Sequence, residues 1–350
     1  MVKPVQPGCA TMECPSALPR LSVVVPIHNG ALWLGPTLDS IFQQSFQDFE
    51  IILIDDASDD DLSGALRPYE DARLRVLHLP ANVGVAEARN CGVAQARGDY
   101  LAFCDADDLC HPDRFQRQLD FLEQHPEIGV CGTGFTCFDS EDRDVVLNPE
   151  TPDAIRLALM QGNCFGTSTM MGRSSVFQQY PFNAQIDVAE DFDVWTRIAA
   201  GGIGMANLPL SLLHYRLHPQ QASQTKSVRL DRVARKIRSR YCAQLLGQQL
   251  LSQQIELERI SLAELQAAQH AIAAYCAAHP VPVTAFRYLL AWLYQQLPAH
   301  GWHSWWCWRR IQQSLGLRLD RNYRFNIFLL ALLPSSLAGK YFDTLIKLKR

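Results

Sequence analysis

"YLAFCDADDLCHPDRF", residues 100–115, sets three carboxylates, Asp105, Asp107 and Asp108, directly after a short apolar run. The run at 100–103 has the length and composition of a buried strand. Like charges this close repel and raise one another's pKa unless a cation neutralises them. A divalent metal accounts for the whole cluster. A helix N-cap at Asp107 or Asp108, ahead of His111-Pro112, accounts for one carboxylate and leaves two unexplained.

Outward from this stretch the chain alternates. "LSVVVPI" (21–27) and "EIILID" (50–55) are apolar, β-branched segments of strand length, and "RLRVLHL" (73–79) reads as a third strand. Between the first two, "WLGPTLDSIFQQS" spaces Leu34, Leu38, Ile41 and Phe42 along one helix face, and "GVAEARNCGVAQARG" (84–98) reads as an alanine-rich helix closed by Gly98. Strands separated by helices at this spacing predict right-handed crossovers: an α/β fold with a mainly parallel central sheet and helices on both faces. Ligands bind such sheets beyond the carboxyl ends of the strands. Three polar clusters fall there: Pro26-Ile27-His28-Asn29-Gly30, Asp55-Asp56-Ala57-Ser58-Asp59 and Cys104-Asp105-Ala106-Asp107-Asp108. No GxGxxG or GxxxxGK[ST] loop follows the first strand, so neither a dinucleotide-binding domain nor a P-loop is supported. A phosphate here needs a metal, and Asp-x-Asp offers hard oxygen ligands to Mg²⁺ or Mn²⁺.

Composition bounds the remainder. A chain of 350 residues with 48% hydrophobic and 19% charged residues is globular and long enough for about two domains. The eleven cysteines are scattered without a CxxC pair and read as reduced thiols of a cytoplasmic protein. Residues 1–20, with four prolines and no apolar run, read as a disordered lead-in without a signal peptide, and no stretch of 18 apolar residues suggests a membrane span. The net charge of −4 is unevenly spread. Residues 301–350 carry nine Lys or Arg against Asp320 and Asp343, a surplus of +7 that leaves −11 elsewhere. Five of the seven tryptophans fall in 292–308 and "FNIFLLALL" follows at 325–333. That composition suits either peripheral contact with a bilayer surface or a helical subdomain with a basic solvent face. The acidic remainder and the lack of a nucleic-acid motif argue against nucleic acid as a partner. Past Ser223, helical spacing at Val228, Leu230, Val233, Ile237, Tyr241 and Leu245 and a Ser-x-x-Glu capping box at 261–264 predict a helical region.

The ordered set Val25-Pro26-x-His28-Asn29, Ile54-Asp55-Asp56-x-Ser58, Asn82-x-Gly84-x-x-x-Ala88-Arg89-Asn90, Gly98-Asp99-Tyr100 and Asp105-Ala106-Asp107-Asp108 resembles family 2 glycosyltransferases of the GT-A fold. "TSTMMGRSSVF" (167–177) resembles that family's strand before the acceptor site, "AEDFDVWTRIA" (189–199) its Glu-Asp catalytic motif, and "YRLHPQQAS" (215–223) its closing segment. The resemblance implies a catalytic domain at 21–225, followed by a helical region at 226–350 that matches no family. It implies a sugar nucleotide, most often a UDP-sugar, as donor, and a glycan or lipid-linked acceptor of cell-surface polysaccharide synthesis at the cytoplasmic membrane face. Pro26, His28, Asp56 and Arg89 would line the nucleotide pocket, Asp105 would face the ribose, and Asp107, with His218, would hold the metal. Asp191 would be the general base of an inverting transfer. Read without the resemblance, Glu190 and Asp191 are acidic residues in a first helical turn whose core face is Phe192, Trp195 and Ile198, and His218 is a loop histidine. Arg216 suits a phosphate, and Asn163 and Thr169 suit the border of an acceptor pocket. Two rivals are a nucleotidyltransferase, which lacks its expected glycine-rich lysine loop here, and a catalytically silent sugar-nucleotide scaffold, at odds with the presence of both acidic motifs.

Overall fold

The computed structural model describes residues 18–139, 141–218, 221, 227–246, 261–278, 286, 290, 293, 294, 297 and 302–316. Pro4, Pro7 and Pro15 of the lead-in, residues 219, 220 and 222–226, the apolar run at 325–333 and the basic residues beyond 316 lie outside them.

The strands are β1 (Leu21–Ile27), β2 (Phe49–Asp55), β3 (Leu74–His78), β4 (Tyr100–Phe103), β5 (Leu109–Cys110), β6 (Ile128–Phe138), β7 (Asp142–Val146), β8 (Met171–Arg173) and β9 (Gly204–Arg216). They form one sheet in the order β3-β2-β1-β4-β8-β6-β9-β5, with β7 on β6. The expected α/β architecture is present. Its parallel part is β3-β2-β1-β4. Beyond β4 the pairings with β8, between β6 and β8, between β6 and β7 and between β5 and β9 are antiparallel, while β6 and β9 run parallel, so the sheet is mixed. Alternation through β1 and β4 sends Val24, Leu101 and Phe103 to one core and Val23, Val25 and Ala102 to the other. Each face of the sheet is therefore covered.

Helices α1 (Ala31–Phe42) and α2 (Leu62–Leu66) follow β1 and β2; α3 (Val85–Gln95) and α4 (Arg114–Gln124) follow β3 and β5. Leu34, Leu38 and Ile41 of α1 are buried, as their spacing predicts. Helix α3 lies close on β1 because Gly92 has no side chain: a Cβ there would meet Val24 Cγ1 at 2.4 Å. Gly98 does not close α3, which ends at Gln95; a Cβ on Gly98 would come within 2.8 Å of the Leu21 and Ser22 backbone. The capping alternative for the acidic cluster also fails. Strand β5 intervenes, and α4 starts at Arg114 behind Asp113.

Helices α5 (Pro152–Ala158), α6 (Ser174–Gln179) and α7 (Glu190–Ala200) complete the α/β layer, with a 3₁₀ turn at Thr167–Thr169 before β8. Helix α8 (Ser227–Leu246) follows, then α9 (Leu262–Ala278) and α10 (Trp302–Ser314). The capping box forms at the start of α9: Ser261 N donates to Glu264 Oε2 at 2.6 Å and Glu264 N to Ser261 Oγ at 3.3 Å. Ile237, Tyr241 and Cys242 of α8 share one apolar cluster with Ile155, Trp195, Ile198 and Ala199. Trp308 and Ile311 of α10 join that cluster, whereas Trp306 is exposed. No helix among the described residues is long and apolar enough to cross a membrane. The nine cysteines among them are free thiols.

Candidate functional site

The carboxyl ends of β1, β2 and β4 bring the three polar clusters to one rim, as parallel strands of matched register must. Two corners of this rim carry backbone strain. Asn29 (φ 54°) and Ala57 (φ 54°) both sit in the left-handed region, which costs a non-glycine residue about 1–2 kcal/mol. Asn29 is held there by its amide donating to Ser58 Oγ (3.0 Å) and its Oδ1 accepting from Asp59 N (2.8 Å). The His28 ring contacts the Asp56 carbonyl through Nδ1 (2.9 Å) and Asn29 Nδ2 through Nε2 (3.2 Å). A carbonyl only accepts and an amide NH₂ only donates, so this assignment protonates Nδ1. Asp56 is buried, and its two oxygens accept from Val83 N (2.7 Å) and Gly84 N (2.9 Å). That clamp requires Gly84 at φ 86°. Pro26 is buried within β1.

The acidic loop between β4 and β5 is anchored at both ends. Asp105 N donates to Ser168 Oγ (3.0 Å) at one end, and β5 pairs antiparallel with β9 at the other, setting Leu109 opposite His214. The β5–β9 pairing carries the segment after β9 across the loop. Arg216 N donates to Asp108 Oδ1 (3.0 Å), Arg216 Nε to the Asp107 carbonyl (2.8 Å), and His218 Nε2 lies 2.9 Å from Asp107 Oδ2. The Arg216 guanidinium stacks between Trp33 (4.7 Å) and Phe138 (4.6 Å), and Trp33 also stacks on His218 (5.5 Å). Asp107 and His218, 111 residues apart, thus share one polar contact.

Electrostatically the loop carries surplus negative charge. Burial and then the Asp105 charge raise the Asp107 carboxyl, against the opposing effect of His218. Asp108 is fully buried, its Oδ2 has no partner, and burial with the charges of Asp107 and Asp105 pushes it well above the carboxylate range. A divalent cation would remove this repulsion, and Asp107 with His218 could offer it a carboxylate oxygen and an imidazole nitrogen. No group of three or more His, Cys, Asp or Glu among the described residues is disposed to hold a metal unaided. Two protein ligands suit an ion whose remaining positions are filled by phosphate and water.

Arg89 links this loop to the acidic motif of α7. Its side chain is 4% exposed, with Nη2 on Asp105 Oδ1 and Nη1 on Glu190 Oε1, both at 2.7 Å, and Nε without a partner. Phe182 covers the guanidinium at 5.4 Å. Burial opposes the charge on Arg89, and the two carboxylates more than offset it. The residue expected to line the nucleotide pocket is therefore placed as a buried strut between Asp105 and Glu190.

Asp191 is the second residue of α7, which starts at Glu190 behind Ala189, a third left-handed residue (φ 59°). Its Oδ1 accepts from Phe192 N (2.6 Å), and its Oδ2 accepts from Asn163 Nδ2 (2.8 Å) and Thr167 Oγ1 (3.1 Å). Burial and the neighbouring Glu190 charge raise its carboxyl to about 6 despite Arg89. A carboxylate with that value is ionised at neutral pH yet basic enough to accept a proton. Asn163, a candidate for the acceptor border, contacts Asp191. Thr169 is fully buried and bonds back to the Gly166 carbonyl (2.7 Å); the residue that touches Asp191 is Thr167. Thr167, Ser168 and Trp33 escaped the sequence reading because a polar residue in a turn or an aromatic on a helix carries no local sign of its distant partner.

Residues 22–181 match the family described as Glycosyl transferase family 2. EpsE of Bacillus subtilis, itself named a glycosyltransferase, is 34% identical over 209 residues, covering 57% of this chain and 73% of EpsE. An uncharacterized glycosyltransferase of Haemophilus influenzae is 30% identical over 216 residues, covering 60% of this chain and 80% of the relative. The chain belongs to glycosyltransferase family 2. Among solved structures this glycosyltransferase is similar in fold to residues 1–349 of S. aureus TarS in complex with UDP-GlcNAc, with a TM-score of 0.54 and 17% identity over 86% of this chain and 93% of that one. The GT-A expectation holds on that likeness.

Proposed function

We propose that this glycosyltransferase transfers a sugar from a nucleotide diphosphate, a UDP-sugar in the first instance, to a hydroxyl acceptor with inversion at the anomeric carbon. The observation that carries the reading is the joining of two acidic motifs, 84 residues apart from Asp107 to Asp191, through the buried Arg89. The rim at β1 and β2, with His28 and Asp56, receives the nucleotide. Asp105 faces the ribose, and Asp107 with His218 faces the diphosphate. Bound there, Mg²⁺ or Mn²⁺ would supply positive charge where negative charge develops on the leaving diphosphate. The crystallisation of TarS with UDP and with UDP-GlcNAc supports a uridine nucleotide as donor.

Asp191 performs the proton transfer. A sugar hydroxyl is a poor nucleophile at neutral pH, and a carboxylate within hydrogen-bond distance takes its proton as the oxygen attacks. The new C–O bond forms on the face opposite the diphosphate, the bond to phosphate oxygen breaks with its electron pair leaving on the diphosphate, and the proton stays on Asp191. The acceptor is a glycan or lipid-linked precursor, reached at the cytoplasmic face of the membrane, with the basic stretch 301–350 as the peripheral contact.

Isothermal titration with UDP-, GDP- and dTDP-sugars, with and without Mn²⁺, tests the donor site. Metal-dependent binding of one nucleotide class, lost in Asp107→Ala, is expected. Binding indifferent to both metal and Asp107 would remove the acidic loop from the reaction.

A further inference from the structure

We propose that Thr167 and Asn163 are positioning residues for the general base, and that the turn bearing Thr167 sets the distance between the base and the donor loop. The inference rests on the reading of Asp191 as the base and goes beyond it. An aspartate carboxylate rotates readily about its last bond, so its reactive lone pairs point nowhere in particular unless donors fix them. Here three donors do. Phe192 N holds Oδ1, while Asn163 Nδ2 and Thr167 Oγ1 converge on Oδ2.

The turn has a second contact. Ser168, the next residue, accepts the Asp105 amide at 3.0 Å, so consecutive side chains of one turn grip the base and the acidic loop. The turn is well braced for this. Thr167, Ser168 and Thr169 are all buried, Thr169 Oγ1 donates to the Gly166 carbonyl (2.7 Å), and Asn163 Oδ1 accepts from Phe165 N (3.2 Å). A nucleophile deprotonated by Asp191 must meet an anomeric carbon held by the acidic loop, and displacement of either by about 1 Å costs on the order of a hundredfold in rate. The charged groups around Asp191 are Glu190 on its own helix and Arg89 on α3, whose other partner is Asp105. Residues 163–169 contribute hydrogen-bond donors and no charge.

The test compares Thr167→Val, which keeps the shape and removes the donor, with Thr167→Ser, which restores it; Asn163→Ala removes the second donor. Protein labelled with ¹³C at the aspartate carboxyls is titrated by NMR, the Asp191 resonance being assigned by its loss in Asp191→Asn. Without the Thr167 donor the ionised form is less well held, so its midpoint is expected to rise by about one pH unit, with Thr167→Ser near wild type. A midpoint in Thr167→Val indistinguishable from wild type overturns the proposal, and needs no substrate to do so. Nucleotide release from UDP-GlcNAc, UDP-glucose, GDP-mannose and dTDP-glucose is followed in parallel. Turnover retained in Asp191→Asn removes Asp191 as the base, whereas turnover lost in Asp191→Asn with an unshifted Asp191 midpoint in Thr167→Val leaves the base in place and removes only its positioning.

Discussion

Asp191 occupies the first turn of α7, where helix N-terminal amides favour a negative charge, yet burial and Glu190 raise its carboxyl to about 6. Its ordinary value is 3.8, so the folded protein binds this proton more tightly than the unfolded chain does. Stability from this group therefore falls as pH rises from about 4 to about 6. Asp191→Asn is expected to abolish transfer while stabilising the fold by about 1–2 kcal/mol at pH 7, a gain that vanishes near pH 4. Urea unfolding at the two pH values measures it; equal stability at pH 7 would show the carboxylate to be better solvated than its surroundings imply. The neighbouring Ala189 has φ 59° and ψ 26°, a conformation that glycine adopts without strain. Ala189→Gly should stabilise the protein by up to about 1 kcal/mol, seen as a higher midpoint of thermal unfolding. A lowered midpoint would mean that packing around this buried methyl outweighs the strain.

At the scale of elements, the parallel strands are tied to the connection between α3 and β4 by a buried carboxylate. Glu50 of β2 accepts from Ser22 Oγ (2.8 Å), Arg75 Nη1 (2.9 Å), Arg97 N (2.9 Å) and Arg97 Nε (3.0 Å). Burial alone would raise its pKa, but the hydrogen bonds from Arg97, Ser22 and Arg75 hold it below the usual range. A carboxyl lowered by folding contributes stability above its unfolded value near 4.5 and loses it as pH falls through the folded value. Glu50→Gln should therefore destabilise by about 1–3 kcal/mol at pH 7 and by progressively less below pH 4. Chemical denaturation across that range checks the sign. A pH-independent difference would assign the effect to packing instead.

For the molecule as a whole, the C-terminal helices are built onto α7, the helix of the proposed base. Asp193 of α7 is fully buried between Arg197 Nε (2.7 Å), one turn on, and Arg240 Nη2 of α8 (2.7 Å). The same two helices bury Trp195, Ile198, Ile237 and Tyr241 together. Arg240→Ala leaves a buried carboxylate with one cation in place of two and should cost about 1–2 kcal/mol of stability. Because α7 also carries Asp191, turnover should fall more than donor binding does, a split visible when rates are set beside calorimetry. Equal losses in both would mean that α8 supports the fold without steering the base.

Period-two and period-3.6 patterns and strand-end polar clusters are local properties, so they determined the α/β alternation, the α1 core face, the α9 capping box and Asp105 and Asp107 as candidates, whereas Asp191 and His218 stood out only through the resemblance to family 2 glycosyltransferases. Local patterns say nothing about which distant segments meet. The antiparallel β5–β9 pairing that brings His218 to Asp107, the burial of Arg89 between Asp105 and Glu190, and the convergence of Thr167 and Asn163 on Asp191 are all long-range. So is the close approach that explains Gly98, a residue that reads in sequence as the end of a helix. Only the folded chain decides such contacts, because their energy depends on burial and mutual distance, quantities that a linear sequence does not contain.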